Sequence, residues 1–551
     1  MRRDPPSPVF FGRDRPPRRE WGGRLPVALV FPGPPRAALS ALGWQAVYAL
    51  VSQHPALAVE RVFYSGPGKA VSEDSGRPLS DFPVIAFSLG YEEDLAAAVA
   101  ALLSVDLPPL AVDRPGYPLV VAGGPLLFMN PAPILPALDA AFVGEAEAGF
   151  PEFLDRIREH AASGGGKAAL LAAVADMPGV LVPGRSPLPV RRAVHRDPGS
   201  PTVLTCPAHS AFVSPEAEFK DMLLIEVNRG CPYGCRFCAA GFVYRPPRHV
   251  GMDEVLALVD RTRPQKVGLV GTALTDWDDL LPLLAALAER GVKFSLASVR
   301  ADGVTRELLA ILRAAGSRTL TLALEGPSAR IRRAANKNLS EDAFLAAVAL
   351  AGEFGVNHLK MYCIVGWPGE TQADYDELAG LMGRVHAAGR VGQGKRGIQH
   401  ATLAASCLVP KPFTPMQWAK MASEDDIKAD GERLRQAVAP HKGMRYSLDG
   451  AFAARVQGLL ARGDERLFEL ILLAAKNGGN FKKALYAWDG DSTPYIDRER
   501  EPDEVFPWEI IDVGVRRDYL WREWKRYQDA VPTAKCPPAG CGACGRCGMD
   551  S

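Results

Sequence analysis

Short apolar runs alternate with segments whose apolar positions recur every three to four residues, and this alternation occurs in two separate series. In the first, residues 26–31 (PVALVF) predict a buried strand and residues 37–53 a helix. Further strands are expected at 84–88 (VIAFS), 119–122 (LVVA) and 141–143, with helices at 95–103 and 151–160. The second series begins at Met222. Its strands are predicted at 223–227, 266–271, 293–298, 318–324, 358–365 and 399–408, and its helices at 253–263, 280–290, 305–315, 340–354 and 371–388. Ser340-Glu341-Asp342 marks one helix start.

Strands that alternate with helices imply parallel sheets covered by helices. The expected fold is α/β: a doubly wound, Rossmann-like front domain, then six strand–helix repeats forming an open or partial (β/α)6 barrel. Chemistry in such a barrel lies at the carboxyl ends of the strands. Gly90, Gly123, Gly124 and Gly144 follow front-domain strands at the ends where doubly wound sheets bind ligands. The chain divides into a disordered Pro/Arg-rich leader (1–24), the front domain (25–165), a Gly/Pro-rich linker (166–217), the barrel (218–420), a helical region (421–530) and a Cys-rich tail (531–551).

At 551 residues, with 47% hydrophobic and 23% charged residues, the chain is globular and too long for one core. Lys+Arg 64 against Asp+Glu 63 gives no global charge for capturing nucleic acid. The longest apolar runs, 95–103 and 280–287, fall short of the ~20 residues of a membrane span. Residues 1–23 lack the apolar segment of a secretory signal, so the cytoplasm is the expected location. Seven of the 10 cysteines fall in two tight clusters, Cys231/Cys235/Cys238 and Cys536/Cys541/Cys544/Cys547. That bunching suits metal ligation better than a disulfide framework. Cys206, Cys363 and Cys407 stand alone and read as small buried hydrophobes.

The segment from Leu223 to Tyr244 runs from a strand into Asn228-Arg229-Gly230 and then C-x3-C-x2-C. Three thiolates on one loop can each bind one iron of a [4Fe-4S] cube and leave the fourth iron open to a small molecule. The alternative is a zinc site completed by a distant His, although zinc favours paired C-x2-C or Cys/His knuckles. With Phe237 before the last cysteine, the segment resembles the radical S-adenosylmethionine (SAM) superfamily signature, and the resemblance extends from about Met222 to Trp418. It implies that the open iron binds SAM. An electron from a donor such as flavodoxin or ferredoxin then splits a carbon–sulfur bond to give methionine and a 5′-deoxyadenosyl radical. By the same resemblance Phe237, Gly271, Thr272, Ser298, Arg300, Glu325, Ile364 and Gly366 are the SAM-binding candidates. No catalytic side chain is assigned.

The front domain resembles the cobalamin-binding domains that precede many such barrels. Phe87-Ser88-Leu89 and Ala122-Gly123-Gly124 stand where that fold lines the nucleotide tail, making Ser88, Gly123 and Gly124 cobalamin candidates. Residues 32–41 lack the Asp-x-His-x-x-Gly that supplies an axial His. Cobalamin therefore binds without a protein axial ligand, or the domain has lost the cofactor and only shapes the substrate site. Over most of its length the chain resembles a bacterial group of cobalamin-domain radical SAM proteins of unassigned reaction. Cys536, Cys541, Cys544 and Cys547 suit a second Fe–S cluster or a structural zinc, or else belong to a flexible, unmetallated tail.

The expected function is SAM cleavage followed by radical modification, with methyl transfer if cobalamin is present. One competing reading is a methylthiotransferase-like modifier of RNA or protein, although residues 1–205 hold none of the cysteines its second cluster would need. Another is a non-catalytic Fe–S scaffold. Arg191, Arg192, His195 and Arg196, or Lys395 and Arg396, either contact a phosphate-bearing substrate or are solvated faces.

Overall fold

The computed structural model describes residues 20–195, 197, 200, 202–205, 207–391, 396–537 and 541–545. Cys206, Arg196, Lys395, Cys547 and residues 1–19 of the leader lie outside them.

The front sheet contains β1 (Leu25–Phe31), β2 (Leu57–Phe63), β3 (Val84–Ser88), β4 (Leu119–Gly123), β5 (Ala140–Phe142) and β6 (Val180–Leu181). Their order is β2-β1-β3-β4-β5-β6, all parallel except β6. The reversal between β1 and β3 is a topological switch point, which opens a crevice at the carboxyl ends of the strands. β2 was not expected, because Glu60-Arg61 interrupts its apolar run. Both are nonetheless buried. Glu60 accepts hydrogen bonds from Trp21 and Ser75, and Arg61 is paired with Asp74 at 2.6 Å. The helix expected over 37–53 is shorter, α1 (Leu42–Gln53), with one separate turn at Pro35–Ala38.

Part of the expected linker belongs to the front domain. Helix Lys167–Val174 and β6 pack on the sheet, and buried Lys167 pairs with Asp139 at 2.7 Å.

The six expected barrel strands form as β7 (Leu223–Glu226), β8 (Lys266–Val270), β9 (Lys293–Leu296), β10 (Thr319–Glu325), β11 (His358–Val365) and β12 (His400–Cys407). A seventh, β13 (Met444–Leu448), pairs in parallel with β12 inside a stretch read as helical. Its MRYSL sequence carries too few apolar residues to signal a strand alone. β9-β8-β7 and β10-β11-β12-β13 are separate sheets, joined by the bridge Val299–Leu322. One face of each strand packs on the helices, as with Leu320, Leu322, Leu359, Met361 and Cys363. Cys363 and Cys407 are buried, as read from their isolation.

Helix Leu467–Lys476 packs against helix Asp94–Leu103 of the front domain, tying the C-terminal region to it. Among the described residues no helix is long and apolar enough to cross a membrane.

Candidate active site

The cysteine loop leaves β7 through Asn228-Arg229-Gly230. Gly230 has φ +87°, and a Cβ there would lie 2.3 Å from the Tyr244 carbonyl oxygen, so only glycine lets the loop fold back on itself. Cys235 is buried, and Cys231 and Cys238 are half-buried. Arg236, between them, points away and is fully buried. It donates to Glu523 at 2.9 and 3.1 Å, to Ala334 O at 2.6 Å and to Val531 O at 2.7 Å. Glu523 belongs to α3 (Phe150–Ala162 being α2 and Arg517–Gln528 α3). The C-terminal helix thus clamps the back of the loop. Asn336 donates to Gly234 O at 3.0 Å from the other side.

Burial pushes the Cys231 thiol up to about 12 and that of Cys235 up to about 11, and raises Cys238 as well. Lys337 and Arg300 oppose this at Cys235. Burial raises Cys363 and Cys407 as well, so these shifts mark enclosure, and a metal bound at the loop would have to displace the thiol protons. Three thiols on one loop are the donor set that an iron–sulfur cluster with one open iron takes.

The SAM candidates surround this loop. Thr272 N donates to Asn228 Oδ1 at 2.7 Å, and its hydroxyl donates to Gly230 O at 2.5 Å. A Cβ on Gly271 would meet Asn228 Oδ1 at 2.6 Å. Both residues therefore brace the loop. Arg300 lies 3.9 Å over the Tyr233 ring and pairs with Asp302. Tyr233 in turn donates to Asp276 at 2.8 Å. Ser298 is exposed beyond the end of β9. Glu325 adopts φ +75° at an irregularity of β10 and pairs with Lys337 at 3.4 Å. Ile364 O accepts from Trp367 Nε1 at 2.8 Å, and Phe237 meets Trp367 edge-on at 5.5 Å. Gly366, at φ +79°, donates its amide to Glu370. Lys337, Glu370 and the Arg236–Glu523 pair were not singled out from the sequence: Arg236 and Glu523 lie far apart along the chain, and the enclosure of Lys337 and of Glu370 Oε1 follows from packing.

A cavity of about 680 Å³ lies between the front sheet and the cysteine loop. Its floor is apolar: Leu42, Gly43, Ala46, Val47 and Leu50 of α1 face Leu29, Ala86 and Val121 of the sheet. Ser88, Gly123 and Gly124 line one wall, and Gly271, Thr272 and Gly230 line the opposite one. The residues expected to hold two different cofactors thus border a single space. Gly124, at φ +111°, would place a Cβ 2.4 Å from Leu89 O, so its main role is close backbone packing.

One carboxylate joins the two walls. Glu145, after β5, accepts from Arg192 at 2.7 Å, Arg229 at 2.7 Å and Arg248 at 2.6 Å. Burial works against its charge, but the three guanidinium groups hold its carboxyl far below the usual range. Arg192, considered above for a phosphate-bearing substrate, is buried in this network instead.

The tail crosses the outer side of the loop. Cys536 N donates to Pro232 O at 2.7 Å, Thr533 N donates to Asn336 Oδ1 at 2.8 Å, and Lys535 pairs with Asp276 at 3.4 Å. Cys544 is buried and Cys541 exposed. Among the described residues no three His, Cys, Asp or Glu side chains lie close enough to hold one metal ion.

Residues 43–183 match the family described as radical SAM proteins, N-terminal, and residues 225–382 match the radical SAM superfamily. The uncharacterized protein MJ0966 of Methanocaldococcus jannaschii is 28% identical over 447 residues, 80% of this chain and 89% of its own. The ribosomal protein uS12 methylthiotransferase RimO of Solibacter usitatus is 28% identical over 203 residues, 33% of this chain and 40% of its own. Among solved structures, the radical SAM methyltransferase TsrM of Kitasatospora setae, with cobalamin and a [4Fe-4S] cluster bound, superposes with a TM-score of 0.46 at 13% identity. That superposition covers 73% of this chain and 80% of TsrM. The cobalamin-dependent SAM radical enzyme OxsB, with aqua-cobalamin bound, gives 0.41 at 14% identity, over 65% of this chain and 52% of OxsB. The two matched families together span more than half of the sequence and include both the front sheet and the cysteine loop; the chain belongs to the radical SAM superfamily.

Proposed function

We propose that this radical SAM enzyme is a cobalamin-dependent methyltransferase acting from a [4Fe-4S] cluster on Cys231, Cys235 and Cys238. One observation carries the cobalamin part of this reading: the apolar cavity at the front sheet's switch point opens onto the cysteine loop. Its volume lies within the ~300–1,000 Å³ of ligand sites. Gly43, with nothing within 4 Å of a Cβ built on it, and Ala46 leave room for a planar group beside α1. Ser88 and the Gly123 backbone would hold the nucleotide tail, and Gly271, Thr272 and Asn228 would hold the side toward SAM. Among the described residues no His, Cys or Met lines the cavity, so these residues would hold a corrin by apolar packing and edge contacts. When bound, cobalamin supplies a methyl carrier.

The chain's own groups orient and shield. Arg236 and Asn336 hold the cysteine loop, Arg300 and Lys337 place positive charge beside it, and the Glu145 network fixes the cavity against it. Cys231, Cys235 and Cys238 would hold the cluster, which would supply the electron, drawn from an external donor of the flavodoxin or ferredoxin type, for reductive cleavage of SAM. The front domain has no cysteine, which disfavours a methylthiotransferase with a second cluster there.

The test is anaerobic reconstitution with iron and sulfide, then dithionite, SAM and hydroxocobalamin. 5′-Deoxyadenosine formation together with about one cobalamin retained per chain supports the proposal. Absence of 5′-deoxyadenosine refutes the radical step, and failure to retain cobalamin refutes the methyl-carrier step.

A further inference from the structure

Barrel interiors are normally packed with side chains, yet the inner face of this one is polar and basic at the amino ends of its strands. The register sets the rows. Thr319, His358 and His400 are neighbours at the amino ends of β10, β11 and β12. Two residues higher come Thr321, Lys360, Thr402 and, on β13, Arg445. In the other sheet Lys266 and Lys293 are neighbours, below Gly268 and Ser295. Residues of opposite parity, such as Leu320, Leu359, Leu403, Val267 and Phe294, are buried against the helices. Alternation along a strand therefore turns the polar set inward. Lys293, His358, His400 and Arg445 are exposed, and Lys266 and Lys360 half-buried.

These cations lack counter-charges. None of Lys266, Lys293, Lys360 and Arg445 forms an ion pair among the described residues. The strands carry two carboxylates, Glu226 and Glu325, both at carboxyl ends and both engaged, by Arg229 and Lys337. The His358 and His400 rings stack on each other at 5.0 Å, adding two imidazoles to the same face. Four permanent cations and two imidazoles on one face, with no carboxylate of the strands beside them and with Lys360 lying 4.9 Å over the Tyr362 ring, present a surface that a multiply charged anion would neutralise.

We infer that the open barrel takes a small substrate bearing phosphate groups, held by Lys360 and Arg445, which flank Thr402, with Lys266, Lys293 and the imidazoles below. Lys360 is four residues short of Ile364, so the anion would sit ~13 Å beneath the reacting end. A charged tail at that depth anchors the substrate while its reacting carbon stands at the strand ends, where remote binding energy serves orientation. This deepens the proposed function and rests on it for the location of the reacting end.

The test uses the reconstituted full-length enzyme and inorganic tripolyphosphate as probe, with affinity read by calorimetry at two salt concentrations. Saturable binding that weakens with salt, and that Lys360→Ala/Arg445→Ala weakens at least tenfold, is expected. Lys360→Arg should retain it, and matching melting temperatures establish that the variants are folded. Wild type that binds no tripolyphosphate, or a double variant that binds it equally well, overturns the inference. So does a single-stranded RNA 12-mer bound tenfold more tightly than the probe, which would make the ligand a polynucleotide. If wild type fails to form 5′-deoxyadenosine, the radical reading fails; if it forms it but shows no Lys360 or Arg445 dependence, only this inference fails.

Discussion

Arg229 stands two residues before Cys231 and donates to Glu145 Oε2 at 2.7 Å, so the front domain grips the strand that delivers the cysteine loop. The same carboxylate neutralises Arg192 and Arg248, neither of which has another carboxylate partner among the described residues. Removing Glu145 strands the fully buried guanidinium groups of Arg192 and Arg248, whereas removing Arg229 leaves Glu145 paired and deprives only the more exposed carboxylates of Glu147 and Glu226. Glu145→Ala should therefore destabilise by ~3–5 kcal/mol and Arg229→Met by less. Scanning calorimetry checks the order; equal melting temperatures for wild type and Glu145→Ala would show that the network is dispensable.

Cys235 is the most buried of the three cluster thiols. Cys235→Ala should abolish 5′-deoxyadenosine formation and most of the cluster absorbance after reconstitution. Iron or zinc that survives in this variant would report on Cys536, Cys541, Cys544 and Cys547. Undiminished 5′-deoxyadenosine from Cys235→Ala would refute the cluster assignment.

Ala46 lies on the cavity floor in the middle of α1. Ala46→Phe fills space that the proposed corrin needs, and the retained cobalamin should fall at least tenfold on gel filtration. Cobalamin retained at the wild-type level would place it elsewhere.

Burial, and then the nearby Asp430 charge, raise the Glu370 carboxyl to about 8. Its Oε2 accepts from the Gly366 and Trp367 amides at 2.8 and 3.0 Å, and its Oε1 is buried without a partner. A folded-state value above the unfolded one means that the native chain binds the extra proton. This contribution is fully present below about 4.5 and is lost as pH rises through about 8, by at most ~1.4 kcal/mol per pH unit. Glu370→Gln, which mimics the protonated acid, should flatten the dependence of melting temperature on pH between 5 and 8. An unchanged slope would mean that Glu370 is ionised in the fold.

The strands of the front sheet and of the barrel, save β2, β6 and β13, were legible in the sequence, as was the bunching of Cys231, Cys235 and Cys238 on one loop. Apolar periodicity reports burial within one element, and three thiols on one loop are local by nature. β2 escaped because the partners of its Glu60 and Arg61 lie at Trp21, Asp74 and Ser75, so its burial follows from pairing and not from composition. Lys337 and Glu523 escaped for the same reason, each reaching the loop only once distant segments had packed.

The same division holds for function. The spacing of Cys231, Cys235 and Cys238 is readable along the chain because the three thiols fall within eight residues. The shared cavity, the Glu145 junction and the basic barrel face depend on which strands become neighbours and on which side each residue points. Register and domain packing fix those relations, and a linear pattern does not carry them.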